Sequence, residues 1–284
     1  MKQENFTDAT LVLLGHGTSL HPESGTPVFQ HAAAFRQTRQ FAEVREAFWK
    51  QDPRVQAVLA GLSTPRVFLV PLFISEGYFS EQVIPRELGF PAEGDGRYSR
   101  LLRSGRQTLF HAKPIGTHDS MTGVLLARAQ EIAGRFPFPR PPKPKETTLL
   151  IAGHGTEKNE NSRLPVERQV ELIRALDLYA GVEAVFLEEE PRISACYDLA
   201  STRNIIIVPF FISDGLHAQG DIPRLLGEPE RVIRQRLDAG QPPWRNPTER
   251  KGKLIWYTQS VGSDPHLVKV IWERVHEAAG WGLT

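Results

Sequence analysis

The sequence predicts an α/β protein made of two tandem domains, each a mostly parallel four-stranded sheet flanked by helices. Three observations carry that prediction. The first is an internal repeat: "TLVLLGHGTS" at 10–19 returns as "TLLIAGHGTE" at 148–157, which sets His16 and His154 138 residues apart. The same spacing aligns "AFWKQDPRV" (47–55) with "VFLEEEPRI" (185–193), "VPLFISEG" (70–77) with "VPFFISDG" (208–215), and Pro85 with Pro223. Separated blocks that share one ungapped spacing point to a tandem duplication. The second observation is that short β-branched runs alternate with helical patterns in both copies, the signature of βαβ units on a parallel sheet. The third is "FPFPRPPKPKET" (136–147), whose five prolines describe a stiff extended linker. The expected domains are therefore 1–135 and 148–284, joined by 136–147.

Taken in order, the strands are expected at 10–15, 43–48, 66–73 and 107–113, then at 148–153, 182–188, 204–211 and 253–258. Between them, "SRLPVERQVELIRALDLYA" (162–180) places Val166, Val170, Ile173 and Leu176 on one face at helical spacing. A chain of 284 residues is long enough for two cores. Its residues are 40% hydrophobic and 24% charged with a formal charge of +1, which gives no electrostatic reason to expect a nucleic acid or an anionic membrane as partner. "MKQENFTDAT" has no apolar core of a secretory signal, and no run reaches the roughly 18–20 apolar residues of a membrane span, so a cytoplasmic location is expected. The single cysteine, Cys196 in "ISACYDLA", excludes an intrachain disulfide and reads as a small core residue on a helix.

In parallel sheets, ligands collect beyond the carboxyl ends of the strands. Three residues of the second copy fall there: His154, Glu188 in "VFLEEEP", and His217 in "PFFISDGLHAQGDIP". Two imidazoles and a carboxylate suit a divalent transition ion such as iron, cobalt, nickel or zinc, and imidazole also exchanges protons near neutral pH. Each residue alone also has a plain reading. "GHG" serves as a tight strand-to-helix turn, Glu188 belongs to an acidic triplet suited to a solvated loop, and His217 suits a surface position. Their coincidence at three strand ends of one copy favours a site. In the first copy the same positions hold His16, Lys50 and Phe79, a set that has lost most of its ligands. Chemistry is expected in the second copy alone.

With "GHGT" at 15–18 and 153–156, "AFWKQDP" and "VFLEEEP", and "PLFISEGYFSEQVIPREL" and "PFFISDGLHAQGDIPRLL", the chain resembles the class II tetrapyrrole chelatases, specifically the two-copy sirohydrochlorin chelatases of the CbiX type. The resemblance covers both copies. It implies flavodoxin-like domains facing each other across a cleft, and insertion of Co2+ or Fe2+, with Ni2+ also open, into sirohydrochlorin or a related tetrapyrrole. No organic cofactor is implied. The family's catalytic and metal-handling residues carry over onto His154, Glu188 and His217. In some two-copy members the complete set lies in the first half, whereas here only the second half has it. Sirohydrochlorin bears eight carboxylates, for which the candidate contacts are His16, Lys158, Asn159, Asn161, Arg163 and Ser213, with Phe79 and Phe211 as ring contacts. An ordinary solvated loop with an N-cap at Ser162, and aromatics that belong to the core, account for these residues equally well. Fusion of two copies removes the need for dimerisation, so a monomer is expected.

Two other readings compete. Histidine phosphatases and mutases also place a histidine after the first strand, but they require an arginine beside it, where this chain has Gly15 and Gly153. A non-catalytic metal or tetrapyrrole carrier would use the same residues as a chelatase.

Overall fold

The computed structural model describes residues 5–18, 22–156 and 160–283. In chain order its strands are β1 (Phe6–Gly15), β2 (Phe41–Phe48), β3 (Arg66–Pro71), the two-residue β4 (Ala92–Glu93) and β5 (Arg97–Tyr98), β6 (Leu101–Ser104), β7 (Gln107–His111), β8 (Thr147–Gly153), β9 (Gly181–Phe186), β10 (Asn204–Pro209), β11 (Thr248–Arg250) and β12 (Lys253–Tyr257). The helices are α1 (Thr26–Thr38), α2 (Val55–Ala60), α3 (Ile84–Glu87), α4 (Met121–Arg135), α5 (Leu164–Ala175), α6 (Cys196–Leu199), α7 (Ile222–Leu225), α8 (Glu230–Asp238) and α9 (Leu267–Gly280). All eight expected strands are present. No helix among the described residues is long and apolar enough to cross a membrane.

The chain divides into two compact units, Met1–His118 with Pro265–Thr284, and Asp119–Asp264. The sheet of the first unit runs β2-β1-β3-β7-β6 and that of the second β11-β12-β10-β8-β9. Both sheets have five strands rather than the expected four. The additional strands, β6 and β11, pair antiparallel with β7 and β12 at an edge. They are short and polar, so they lack the apolar run by which the inner strands announce themselves. The four parallel strands of each unit place the first strand between the second and third, which creates a switch point between β1 and β3 and between β8 and β10.

These central strands are near-continuous apolar runs because helices cover both faces. Every residue of β8 is buried. One core of the second unit gathers Leu150, Val185, Ile205, Ile207, Ile222 and Trp244; Cys196 lies within it, and burial pushes its thiol up to about 12. The corresponding core of the first unit gathers Val12, Leu14, Ala47, Leu69 and Ile84.

The compact units do not coincide with the two sequence copies, because each copy gives its last helix to the other unit. Helix α4, encoded in the first copy, packs on β10, β12 and α5. Its Arg128 is buried and donates to the Ser260 carbonyl at 3.1 Å and to Ser263 Oγ at 2.7 Å. Helix α9, encoded in the second copy, packs on β3, β7 and α1. There the buried Arg274 donates to the Pro114 carbonyl at 2.8 Å and to Thr117 Oγ1 at 2.8 Å, and Trp272 stacks on Phe41 with ring centres 5.0 Å apart. The division at 136–147 marks the duplication. The fold itself divides at His118 and Asp264, where the chain passes between units.

Candidate functional site

The site is assembled at the carboxyl ends of β8, β9 and β10, where the switch-point rule places ligands. "GHGT" follows β8, and each glycine has a steric reason. A Cβ on Gly153 would meet Val166 Cγ2 at 2.6 Å, while Gly155 has φ +66° and leaves no room against Glu189. The turn thus fixes His154 between two positions that admit no side chain. Backbone bonds then tie it to the next loop, since the Leu187 and Glu188 N–H groups both donate to the His154 carbonyl, at 3.0 and 3.1 Å. Glu188 is thereby carried beside His154, with Oε1 3.8 Å from Nε2.

After β10 the segment reaches a wide turn, His217–Asp221, in which the Ile222 N–H returns five residues to the His217 carbonyl. Such widened helical turns recur at functional sites. This one brings the His217 ring to 5.1 Å from that of His154, nearly perpendicular at 86°, with the Phe211 ring 6.0 Å from His217. The three expected residues therefore converge. His154 and His217 are half-buried and Glu188 is exposed.

The hydrogen bonds fix the ring orientations. His154 Nδ1 lies 2.7 Å from the Gly155 carbonyl oxygen. A carbonyl only accepts, so Nδ1 is the donor and the lone pair of the neutral ring sits on Nε2. His217 Nδ1 lies 2.7 Å from Asp221 Oδ2, with the same consequence, and Asp221 is braced in turn by Arg224 Nη2 at 3.1 Å. Asp221 was not among the residues expected from sequence. The signal was available: it stands four residues after His217, and its counterpart in the first copy is Val83. Among the described residues no three His, Cys, Asp or Glu side chains form a preassembled metal cage.

The first unit repeats this frame with other chemistry. His16 Nδ1 bonds the Gly17 carbonyl at 2.9 Å, and the Lys50 N–H donates to the His16 carbonyl at 2.8 Å. Where His217 would stand, Phe79 meets the His16 ring at 5.2 Å and Trp49 at 5.3 Å. Desolvation lowers the His16 pKa, and the Lys50 charge pushes the same way.

The remaining candidates divide. Lys158 and Asn159 lie outside the described residues. Asn161 is exposed at the start of the segment leading into α5. Arg163 is engaged within the fold: it donates to Glu167 Oε1 at 2.7 Å, to Glu189 Oε2 at 3.4 Å and to the Glu190 backbone carbonyl at 2.9 Å, and its guanidinium lies over Phe186. Ser213 is held through its carbonyl, which accepts from Ser260 Oγ at 3.3 Å.

Comparison with known proteins bears on the family and the fold. The CbiX family model matches residues 10–132 and 148–278, one match per copy. A protein of Halobacterium salinarum named probable sirohydrochlorin cobaltochelatase is 38% identical over 94% of this chain and 91% of its own length. Among solved structures, a multi-domain protein of Deinococcus radiodurans described as similar to chelatases superposes with a TM-score of 0.73 at 26% identity, over 94% of this chain and 54% of its own. SirB from Bacillus subtilis, solved with Fe3+, superposes with a TM-score of 0.66 over 95% of both chains at 17% identity, a likeness of fold. With both copies matched and one relative similar along nearly its whole length, this chain belongs to the CbiX family.

Proposed function

We propose that the protein is a sirohydrochlorin chelatase that inserts Co2+ into the macrocycle at a single site in the second unit, with His154, Glu188 and His217 handling the ion. One observation carries this reading. Two imidazoles stand face to edge at the switch point, each with Nδ1 tied back and Nε2 left to bind. The name of the Halobacterium relative favours cobalt over iron or nickel as the substrate ion.

Metallation removes two pyrrole protons while a partly desolvated ion is brought to the ring face. In our reading His154 and His217 take the ion through Nε2. Both lone pairs are then committed, which leaves the Glu188 carboxylate to lower the charge of the complex and to accept one pyrrole proton, while the second passes to solvent water as the ion enters the ring. A donor set gathered loosely rather than closed into a cage suits an ion that has to pass on to the macrocycle. Holding ion, base and ring together converts a difficult encounter into an intramolecular step. Asp221 acts through His217 as a positioning residue, since a carboxylate on Nδ1 fixes the tautomer and strengthens Nε2 as a donor.

The test is anaerobic mixing of the protein with sirohydrochlorin and Co2+. Conversion of the spectrum to that of the metallated ring at substoichiometric protein is the expected result. Binding of one equivalent with no gain in rate would instead identify a carrier.

A further inference from the structure

A cavity of about 830 Å³ opens in the second unit beside the turn that carries His217, a size that suits a small-molecule site. Trp244 and Tyr257 lie almost wholly buried in its lining, Phe136 is half-buried there, and Asp214, Ala218 and Gln219 wall it on the side of the turn. The Tyr257 hydroxyl donates to the Ala218 carbonyl at 2.7 Å, so the cavity wall and the His217 segment are joined.

The charge of the lining is one-sided. Arg135, Arg236 and Arg245 contribute to it. Arg135 lies over the Phe136 ring and Arg236 donates to the Pro242 carbonyl at 2.7 Å. None of the three pairs with a carboxylate among the described residues. Asp214 is the one acid among the described lining residues, and its Oδ1 already accepts the Ser260 N–H at 2.7 Å.

In the first unit the protein fills the corresponding place itself. His111 and Ala112 there correspond to Tyr257 and Thr258: the Ala112 N–H bonds the Leu69 carbonyl as the Thr258 N–H bonds that of Ile207. Arg100 reaches over the His111 and Ala112 carbonyls and pairs with Glu81, the counterpart of Gln219. An internal cation and its own anion thus occupy the first unit, whereas the second leaves an open space with cations in its walls.

We propose that this cavity receives the carboxylate-bearing edge of the tetrapyrrole, an inference that rests on the chelatase reading above. Guanidinium groups offer paired donors to acetate and propionate arms.

The full chain with R135Q/R236Q/R245Q tests this in two measurements: binding of metal-free sirohydrochlorin, followed by absorbance, and steady-state Co2+ insertion. The expected result is a rise of about tenfold or more in both Kd and KM with kcat little changed. Wild type should also favour an octacarboxylate porphyrin over a tetracarboxylate one more strongly than the variant does. Because Arg236 also braces a loop carbonyl, R135Q/R245Q repeats the measurement with two side chains that make no hydrogen bonds among the described residues. Unchanged Kd and KM in that double variant and in the folded triple variant would overturn the assignment. If wild type binds the macrocycle in an arginine-dependent way but inserts no metal, the chelatase reading fails and the cavity assignment stands.

Discussion

The loop after β3 and the loop after β10 descend from one sequence and now do different work. Both keep the strand, the proline and the wide turn that follows. In the second unit the turn presents His217, backed by Asp221, to His154 and Glu188; in the first it presents Phe79 to His16 and Trp49. On the proposed reading, the difference teaches how a duplicated site loses its chemistry without losing its fold. Three polar positions have become Phe79, Lys50 and Val83, and the space between the walls has been given to ring packing. Aromatic pairs of this kind contribute about 0.5–1.5 kcal/mol each beyond their buried area, so ring packing adds cohesion to the first unit.

The most forceful way to break the comparison is to exchange the roles of the two histidines. H217A is expected to lower the metallation rate by about 10²–10⁴, the usual loss for a positioned acid–base or ligand group, with the fold intact by circular dichroism. H16A should cost less than about tenfold, the order of one lost hydrogen bond. Full turnover by H217A, with H16A and F79A inactive, would place the chemistry in the first unit instead.

A second contrast concerns acid. His111 in β7 is wholly buried, and desolvation brings its pKa down to about 3. Between pH 6.5 and 3 the unfolded chain binds a proton there that the folded chain does not, so stability falls as the pH drops through that window and levels off below it. The full effect is on the order of 5 kcal/mol, at about 1.4 kcal/mol per pH unit. Tyr257 holds the equivalent position in the second unit and stays neutral throughout this window, its pKa raised by burial. H111F should flatten the acid limb of a urea-unfolding series, and an unchanged slope would show that His111 is not its source.

Smaller effects are expected at the support of the site. D221N should weaken Co2+ binding and slow metallation by about 10–100-fold. Isothermal titration against the metal, alongside turnover, separates this from a loss of folding. The finest test is reconstruction: K50E/F79H/V83D returns the lost groups to the first unit. The expected outcome is one additional equivalent of bound Co2+ per chain, of lower affinity than the first. Stoichiometry identical to wild type would mean that more than these three positions separates the units.

Much of this was legible in the sequence because the repeat aligned two versions of each position. The inner strands were marked by apolar runs, and His154, Glu188 and His217 by their places at strand ends. Asp221 escaped because its relation to His217 depends on the segment being helical, and "HAQGD" has no apolar periodicity to reveal that. Strands β6 and β11 escaped for the same kind of reason, as "LLRS" and "TER" are too short and polar to register. The exchange of α4 and α9 is invisible to periodicity altogether. An amphipathic face records that a helix packs against something, and either sheet satisfies it.

That exchange bears on how the protein is made. The second unit is one unbroken stretch of chain, whereas the first must wait for α9, which is synthesised only after the whole of the second. On the ribosome the second unit can close while the first still lacks the helix that carries Trp272 and Arg274. The earlier-made sheet is therefore the one left with an uncovered face during translation, and the later-made one is the first to be complete.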